Sequence, residues 1–419
     1  MQGRVVAEYG FLVAWIIVAI LVVILARGSP YSVAFFTFGA VIAASLLIAW
    51  AAEASEFSIS RGLALAVVAI VQTIPEYFVE GTIAWKAGQD LTGFWTSNVI
   101  ANFTGANRLL TGFGWPLILF TLVIQKKRNG QSGPSTIALR REQSVEMVFL
   151  LVSSLYYVWI LIEGALTILD SAILGGAFVA YMWILARLPA GKDEPKEVLG
   201  ATSLALAEIK SPRRKLALIA ALFLFSGLTF VLITDAFVES IRGLAETFLV
   251  GFLGSGAVFF SIQWIVPVLS EFPEKVTAFN WARQITLAPV ALLNFVSSSV
   301  NELTALVALI PIVFTVSRGA LVPVPVAGHS VEILLTMAQS LYACATLLDL
   351  EYDVGNATVL FVLWGVSTAL VETRLPVAVI FLILAALEVV RTRKRITVFS
   401  AFRQTVNEGL RHKLSKDLQ

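Results

Sequence analysis

Cysteine, histidine and charged residues are all scarce in this chain of 419 residues. The single cysteine, Cys344, excludes an internal disulfide and any cysteine-based metal site. Two histidines, His329 and His412, are too few for a conventional transition-metal site. No nucleotide-binding motif is visible, and the net charge is only +2. We therefore predict no cofactor, no nucleotide or nucleic-acid partner, and no ATP-driven activity within this chain.

Hydrophobic residues make up 58% of the sequence and charged residues only 14%, with a mean hydropathy of +0.85. A soluble chain of this composition would expose large apolar patches and aggregate. Apolar runs of about twenty residues recur along nearly the whole length, and a helix that crosses a hydrocarbon core of ~30 Å needs such a run. The composition therefore predicts an all-α polytopic membrane protein surrounded by the lipid bilayer.

We predict twelve spans, at about 8–27; 32–52, 61–87, 93–125, 144–168 and 171–188; 216–238, 246–282, 285–316, 330–349 and 355–371; and 375–391. The first run lacks a small-x-small cleavage site and is predicted to be a retained helix. The predicted organisation is an N-terminal helix (1–30), a first five-helix unit (31–190), a cytoplasmic linker (191–215), a second five-helix unit (216–372), and a last helix with a basic cytoplasmic tail (373–419).

The basic loops predict the orientation. Lys and Arg cluster at 126–128 with 140–141, at 210–215 and at 391–394. Cytoplasmic loops carry an excess of Lys and Arg, and with twelve spans all three clusters fall on one side of the membrane. We therefore predict an inner-membrane protein with both termini in the cytoplasm.

Three sequence matches between the two five-helix units indicate a duplication, and an odd number of helices makes the units antiparallel. The matches occur in the same order and are offset by about 186 to 198 residues: Pro75-Glu76 with Pro273-Glu274, Asn102-Phe103 with Asn294-Phe295, and Ser144-Val145-Glu146 with Ser330-Val331-Glu332. Inverted repeats of this kind are a common plan of secondary transporters, whose substrate site lies between the repeats near mid-membrane.

Each repeat places a proline and then a glutamate deep in an apolar stretch, as Pro75-Glu76 and Pro273-Glu274. A proline inside a helix removes one hydrogen bond and frees carbonyl oxygens a turn earlier. A carboxylate at mid-membrane costs at least ~2.5 kcal/mol, so it is seldom kept without a partner or a task. Carboxylates beside free carbonyls form an all-oxygen site suited to a hard cation such as Ca²⁺.

The paired proline-glutamate helices resemble the two α-repeats of the calcium/cation antiporter superfamily, which includes the sodium/calcium exchangers. Each repeat in that superfamily carries a G-T-S-x-P-E-like motif and then a second helix with a G-S-N-like motif. Here Gln72-Thr73 and Ser270-Glu271 replace the glycine-threonine-serine run, whereas the proline and the glutamate are intact.

The resemblance implies a set of cation ligands in this chain. Glu76 and Glu274 would chelate the metal ion, with Thr73 and Ser270 as lesser ligands. On the second helix of the second repeat, Ser298 and Glu302 match the serine and acidic positions and share a helix face. In the first repeat the register stays open: Asn98 and Asn102 are favoured by spacing, and Asn107 by the literal motif Gly105-Ala106-Asn107.

Additional carboxylates distinguish this chain from the motif. Glu271 occupies the position of a ligand and is predicted to bind an ion or a proton, whereas Glu80 lies one turn beyond Glu76, either in the site or at its solvent-facing mouth. Crowded like charges raise one another's pKa values, so some of these carboxylates would carry protons.

The predicted function is secondary antiport of Ca²⁺ or another cation for Na⁺ or H⁺ by alternating access, and no enzyme activity is predicted. The alternatives are a membrane-embedded enzyme acting on lipid and a cation channel. We see no histidine-containing triad and no G-x-S-x-G motif, and broken helices with two inequivalent half-sites fit alternating access better than a channel. The transported and coupling ions stay open between Ca²⁺, Na⁺ and H⁺.

Overall fold

A computed structural model of the chain describes residues 2–25, 29–55, 73–131, 136–188 and 201–417. The first part of the predicted span 61–87 and most of the predicted linker lie outside the described residues. Within the described ranges, each of the twelve predicted spans coincides at least in part with a helix.

The helices are α1 Gln2–Ile24, α2 Pro30–Ser55, α3 Ile74–Gln89, α4 Phe94–Leu109, α5 Trp115–Arg128, α6 Ser144–Glu163, α7 Ile168–Leu185, α8 Ala201–Ala207, α9 Pro212–Leu244, α10 Val250–Leu253, α11 Ala257–Ser270, α12 Phe272–Arg283, α13 Ala288–Asn301, α14 Val307–Arg318, α15 Ser330–Ala345, α16 Val354–Ala369, α17 Arg374–Thr392 and α18 Val398–Asp417. Short π-helical turns at Leu110–Gly114 and Glu302–Leu306 join α4 to α5 and α13 to α14.

Eight helical stretches among the described residues are long and apolar enough to cross a membrane. The prediction of an all-α polytopic membrane protein is therefore confirmed. One predicted boundary is wrong: the span placed at 246–282 starts later, at α11, and is broken before α12. Gly254 lies between α10 and α11 at φ 57° and ψ −142°, a conformation reserved for glycine, and hydropathy does not register such a turn.

The helix α18 was not predicted, because it is amphipathic and polar rather than uniformly apolar. It packs against the start of α6, where Arg141 pairs with Glu408 at 2.5 Å. The search for apolar runs could not find such a helix, since its hydrophobic residues occupy only one face.

The chain divides into two compact units, and each combines parts of both predicted repeats. Unit 1 contains residues 1–83 and 189–274; unit 2 contains residues 84–188 and 275–419. In unit 1, α2 packs along α9 and also contacts α1, α8 and α11. In unit 2, α15 packs against α4, α6 and α17, and α7 packs against α14.

Four short strands in unit 2 determine the relative direction of α6 and α15. Strand β1 (Thr136–Ala138) precedes α6 and pairs with β4 (Glu351–Asp353), which follows α15. Strand β2 (Ala165–Leu166) follows α6 and pairs with β3 (Val324–Pro325), which precedes α15. The start of α6 therefore lies beside the end of α15, and the two helices, which carry the Ser-Val-Glu match, run antiparallel.

The loop between α3 and α4 is tied to the start of α4 by Asp90. Its carboxylate accepts hydrogen bonds from the backbone N–H groups of Thr92 and Trp95, at 2.8 and 2.9 Å, and from the Thr92 hydroxyl at 2.7 Å. Partial burial acts to raise the pKa of Asp90, but these hydrogen bonds outweigh it and hold the pKa below its ordinary value. The loop thereby fixes how the chain leaves α3, which carries Glu76, and enters α4, which carries the asparagines.

Candidate cation site

Both proline-glutamate pairs lie in the first turn of a helix, not in a helix interior. Pro75 is the second residue of α3 and Pro273 the second residue of α12. Proline is well tolerated there, because the first N–H groups of a helix have no intrahelical acceptor. The expected kink in the second repeat is a break at Glu271, whose backbone N–H still donates to Pro267 O at 3.2 Å.

This position also favours the charge of the two glutamates. Glu76 and Glu274 each stand third in their helix, where the positive end of the helix dipole stabilises a carboxylate. Both are buried, with exposed fractions of 1% for Glu76 and 4% for Glu274. The structure therefore presents two buried carboxylates at the same position in the first turn of their helices.

Within unit 1, residues from the two predicted repeats contact each other at Glu76. The Ser270 hydroxyl donates to Glu76 Oε2 at 2.5 Å. Ser45 of α2 in turn donates from its hydroxyl to Ser270 O at 3.3 Å. Glu271 brings a carboxylate oxygen to within 4.8 Å of one of Glu76. Glu76, Ser270 and Glu271, three residues predicted for the site, are thus brought together.

The other predicted unit 1 residues are buried close by in sequence. Thr73 precedes α3, and its carbonyl accepts the N–H of Tyr77 at 3.2 Å. Glu80, one turn beyond Glu76, is completely buried. Of the two locations considered for Glu80, the solvent-facing mouth is therefore wrong.

In unit 2, the three asparagines of α4 differ in how their amides are engaged. The Asn107 amide donates from Nδ2 to Ser299 O at 3.4 Å, and its Oδ1 accepts from the Ser340 hydroxyl at 2.8 Å. Asn98 donates from Nδ2 to Phe94 O at 3.0 Å and keeps a buried Oδ1 without a hydrogen-bond partner among the described residues. Asn102 is completely buried.

Ser298 and Glu302 lie at the junction of α13 with its π-helical turn. Both are buried, and Glu302 is the first residue of the turn Glu302–Leu306. A π-turn widens the backbone locally and is frequent at functional sites. Tyr157 of α6 hydrogen-bonds through its hydroxyl to Leu303 O at 3.5 Å, which ties this turn to the rest of unit 2.

Sequence reasoning missed Ser45, which supports Ser270 from α2. It stands among apolar residues in α2, so neither a motif nor a charge distinguishes it in the sequence. The signal that exists is its position: α2 opens the first repeat and packs against α11, which ends at Ser270.

Buried carboxylates, hydroxyls and amides at broken helices, within an all-α membrane protein, define a transporter of hard cations. The comparisons with known proteins agree. The family model described as sodium/calcium exchanger protein matches residues 28–187. The chain is also similar to a solved structure described as the H⁺/Ca²⁺ exchanger CAX, at 30% identity and a TM-score of 0.83, with 98% of each chain covered.

The chain belongs to the calcium/cation antiporter superfamily and is a secondary cation antiporter. Two more distant structures share its fold. Native YfkE is 16% identical with a TM-score of 0.54, covering 90% of this chain and 99% of its own. The sodium-calcium exchanger NCX_Mj is 14% identical with a TM-score of 0.51, covering 79% and 94%. No match was found among curated proteins.

Proposed function

We propose that this antiporter exchanges Ca²⁺ for H⁺ across the cell membrane. The observation that carries the proposal is the crowding of Glu76 and Glu271, whose carboxylate oxygens lie within 4.8 Å in a buried setting. Two carboxylates this close repel each other when both are ionised, so either a divalent cation or a proton must accompany them. A site that alternates between these two occupants exchanges one for the other.

The proposed cation ligands are oxygen atoms, as a hard cation requires. Glu76 and Glu274 bind the transported metal ion, and Thr73 and Ser270 add oxygens from the hydroxyl or the backbone. Asn98, Asn102 and Ser298 are the proposed ligands on α4 and α13. Asn107 remains the alternative in α4, but its amide already bridges Ser299 and Ser340.

Glu271 and Glu302 are the proposed acceptors of the coupling proton. Both are buried and neither belongs to a proline-glutamate pair. A proton-coupled exchanger needs ionisable groups beyond those that chelate the metal, because protons must replace its charge when it leaves. The similarity to an H⁺/Ca²⁺ exchanger supports protons over sodium.

Ion flux in proteoliposomes tests the exchange directly. A pH gradient imposed alone, without sodium, is expected to drive Ca²⁺ uptake. The uptake should be at least about tenfold above that of protein-free liposomes, because a difference of one pH unit supplies about 1.4 kcal/mol per proton. Tracer Ca²⁺ and an internal pH dye measure the two fluxes together.

If only a sodium gradient drove Ca²⁺ uptake, the coupling ion would be Na⁺ and not H⁺. Ca²⁺ flux down its own gradient, without a counter-ion and without saturation, would favour the cation channel. Lipid turnover by the purified protein would favour the membrane-embedded enzyme.

We also propose that the protein lies in the cell membrane, the inner membrane where there are two, with both termini cytoplasmic. A cysteine introduced at Gln131, in the exposed turn after α5, reports the side of the loop, because the remaining Cys344 is buried and can be replaced by alanine. We expect an impermeant thiol reagent to label Gln131→Cys in inside-out vesicles only. Labelling in intact right-side-out vesicles would place this loop outside the cell and contradict the proposed orientation.

The two predicted repeats, 31–190 and 216–372, are proposed to be inverted copies on either side of the linker 191–215, with added helices in 1–30 and 373–419. The antiparallel course of α6 and α15 supports this proposal. Shifted by the 186 residues that separate Glu146 from Glu332, β2 falls on β4, and β1 overlaps the start of β3. The duplication thus maps one strand pair onto the other, as a twofold axis does.

A further inference from the structure

Glu146 is a buried carboxylate that the proposed exchange site does not use. It lies in the first turn of α6 with an exposed fraction of 6%. Its Oε2 atom has no hydrogen-bond partner in the part of the chain that the structure describes. A buried carboxylate with one unpartnered oxygen is costly to ionise in a membrane protein, so Glu146 is a candidate for a functional role.

The repeat-equivalent residue, Glu332, differs in one respect. Its Oε1 atom forms an ion pair with Arg374 Nη1 at 2.8 Å, and Arg374 itself is buried. His329 also lies near Glu332, but burial lowers the pKa of its imidazole. Arg374 is therefore the main cationic partner of Glu332. Arg374 comes from α17, which lies outside the two five-helix repeats, so the first repeat has no counterpart to it. Glu332 therefore has a cationic partner, whereas Glu146 forms no ion pair with any residue that the structure describes.

No cation is paired with Glu146 among the residues that the structure describes. Glu142, on the turn before α6, acts on it electrostatically, and Tyr181 of α7 lies close enough for Glu146 to act on its hydroxyl. The nearby Arg141 is engaged by Glu408 of α18. On α15, Cys344 lines a small cavity beside Met147, the residue after Glu146.

A route leads from Glu146 toward the cation ligands within unit 2. The Tyr181 hydroxyl is buried, like Glu146 Oε2, and has no hydrogen-bond partner among the described residues. It lies near the Ser297 side chain on α13, and Ser297 adjoins the proposed ligand Ser298. Glu302 lies farther along: its π-turn contacts α6 at Tyr157, three turns or about 16 Å beyond Glu146. Glu146 therefore lies outside the proposed cation site, at the end of α6 against which α18 packs.

We propose that Glu146 is a proton-binding residue that passes the coupling proton between the α18 end of unit 2 and the cation ligands, by way of Tyr181 and Ser297. The inference rests on the proposed Ca²⁺/H⁺ exchange. For transfer toward the site, the carboxyl O–H bond of Glu146 breaks as the Tyr181 oxygen accepts the proton, and Tyr181 releases its own hydroxyl hydrogen to the Ser297 oxygen. Ser297 in turn releases its hydroxyl hydrogen to an ionised proton acceptor of the exchange site, and Glu146 is left as a carboxylate. One proton moves, and no group is oxidised or reduced.

The test compares two transport modes of the full chain in proteoliposomes. In Glu146→Gln, Ca²⁺ uptake driven by a pH gradient is expected to fall about a hundredfold and to lose pH dependence, as removal of a proton-transfer group does. Exchange of tracer Ca²⁺ for unlabelled Ca²⁺ moves no net proton and should stay within about twofold of the unsubstituted chain. Tyr181→Phe should give the same pattern.

Two variants serve as controls. Glu142→Gln removes the same charge from the exposed neighbour and should transport as the unsubstituted chain does, and Glu146→Asp should restore part of the pH-driven flux. Glu146→Gln is expected to unfold at no lower temperature, because it removes a buried acid that has no ion-pair partner among the described residues.

Unchanged pH-driven uptake in Glu146→Gln would overturn the inference, and so would an equal loss in both transport modes, which indicates a structural role. Absence of pH-driven uptake in the unsubstituted chain would instead contradict the proposed Ca²⁺/H⁺ exchange itself.

Discussion

Glu76→Gln and Glu274→Gln are each expected to abolish Ca²⁺ transport while the protein still inserts and folds. Each substitution keeps the size of the side chain and removes one negative charge from a buried cation site. Losing one partner of a buried charge interaction costs on the order of 3 kcal/mol, which corresponds to a loss of at least about a hundredfold in affinity. Both transport modes, the pH-driven uptake and the tracer exchange, should fall together, since both require the metal ion to bind.

The control for these variants is Glu163→Gln, at the exposed end of α6, which removes the same charge away from the site. It should transport normally. Thermal unfolding in detergent separates a lost ligand from a lost fold: we expect neither glutamine variant to unfold earlier, because a neutral amide is easier to accommodate in a bilayer than a carboxylate. Transport near the normal rate by the double variant Glu76→Gln/Glu274→Gln would leave the proposed site without support.

The proline-glutamate pairs could be found in the sequence because their chemistry conflicts with their surroundings. A carboxylate after a proline in an apolar stretch is rare, and its repetition at Glu76 and Glu274 is rarer. What the sequence could not indicate was where each helix begins. The same proline fits a kink or a first turn, and only the backbone at Glu271 decides in favour of a break.

The position of the asparagines shows a second limit of spacing arguments. Asn98, Asn102 and Asn107 all lie within α4, and each matches part of the motif. The difference between them arises from residues distant in sequence: Ser299 and Ser340 engage the amide of Asn107. Ser45 went unnoticed for the same reason, since its contact with Ser270 spans more than two hundred residues.

Glu302→Gln is expected to separate proton coupling from metal binding. Glu302 is buried in the π-turn after α13, and under the proposed function it carries a coupling proton. Its replacement removes one exchangeable proton and leaves Glu76 and Glu274 in place. Ca²⁺ uptake driven by a pH gradient should therefore fall about a hundredfold and depend less on pH, as in the loss of a proton-transfer group.

The apparent affinity for Ca²⁺, measured by tracer exchange at fixed pH, should change by less than about threefold, or roughly 0.7 kcal/mol. Glu302→Asp keeps the titratable group on a shorter side chain and is the matched comparison: it should retain pH dependence even if its rate is lower. A loss of affinity as large as that of Glu76→Gln would instead make Glu302 a chelator of the metal. In that case Glu271 would be the remaining proton acceptor of the proposed site. Glu271→Gln would then be the variant expected to lose pH-driven Ca²⁺ uptake and its pH dependence.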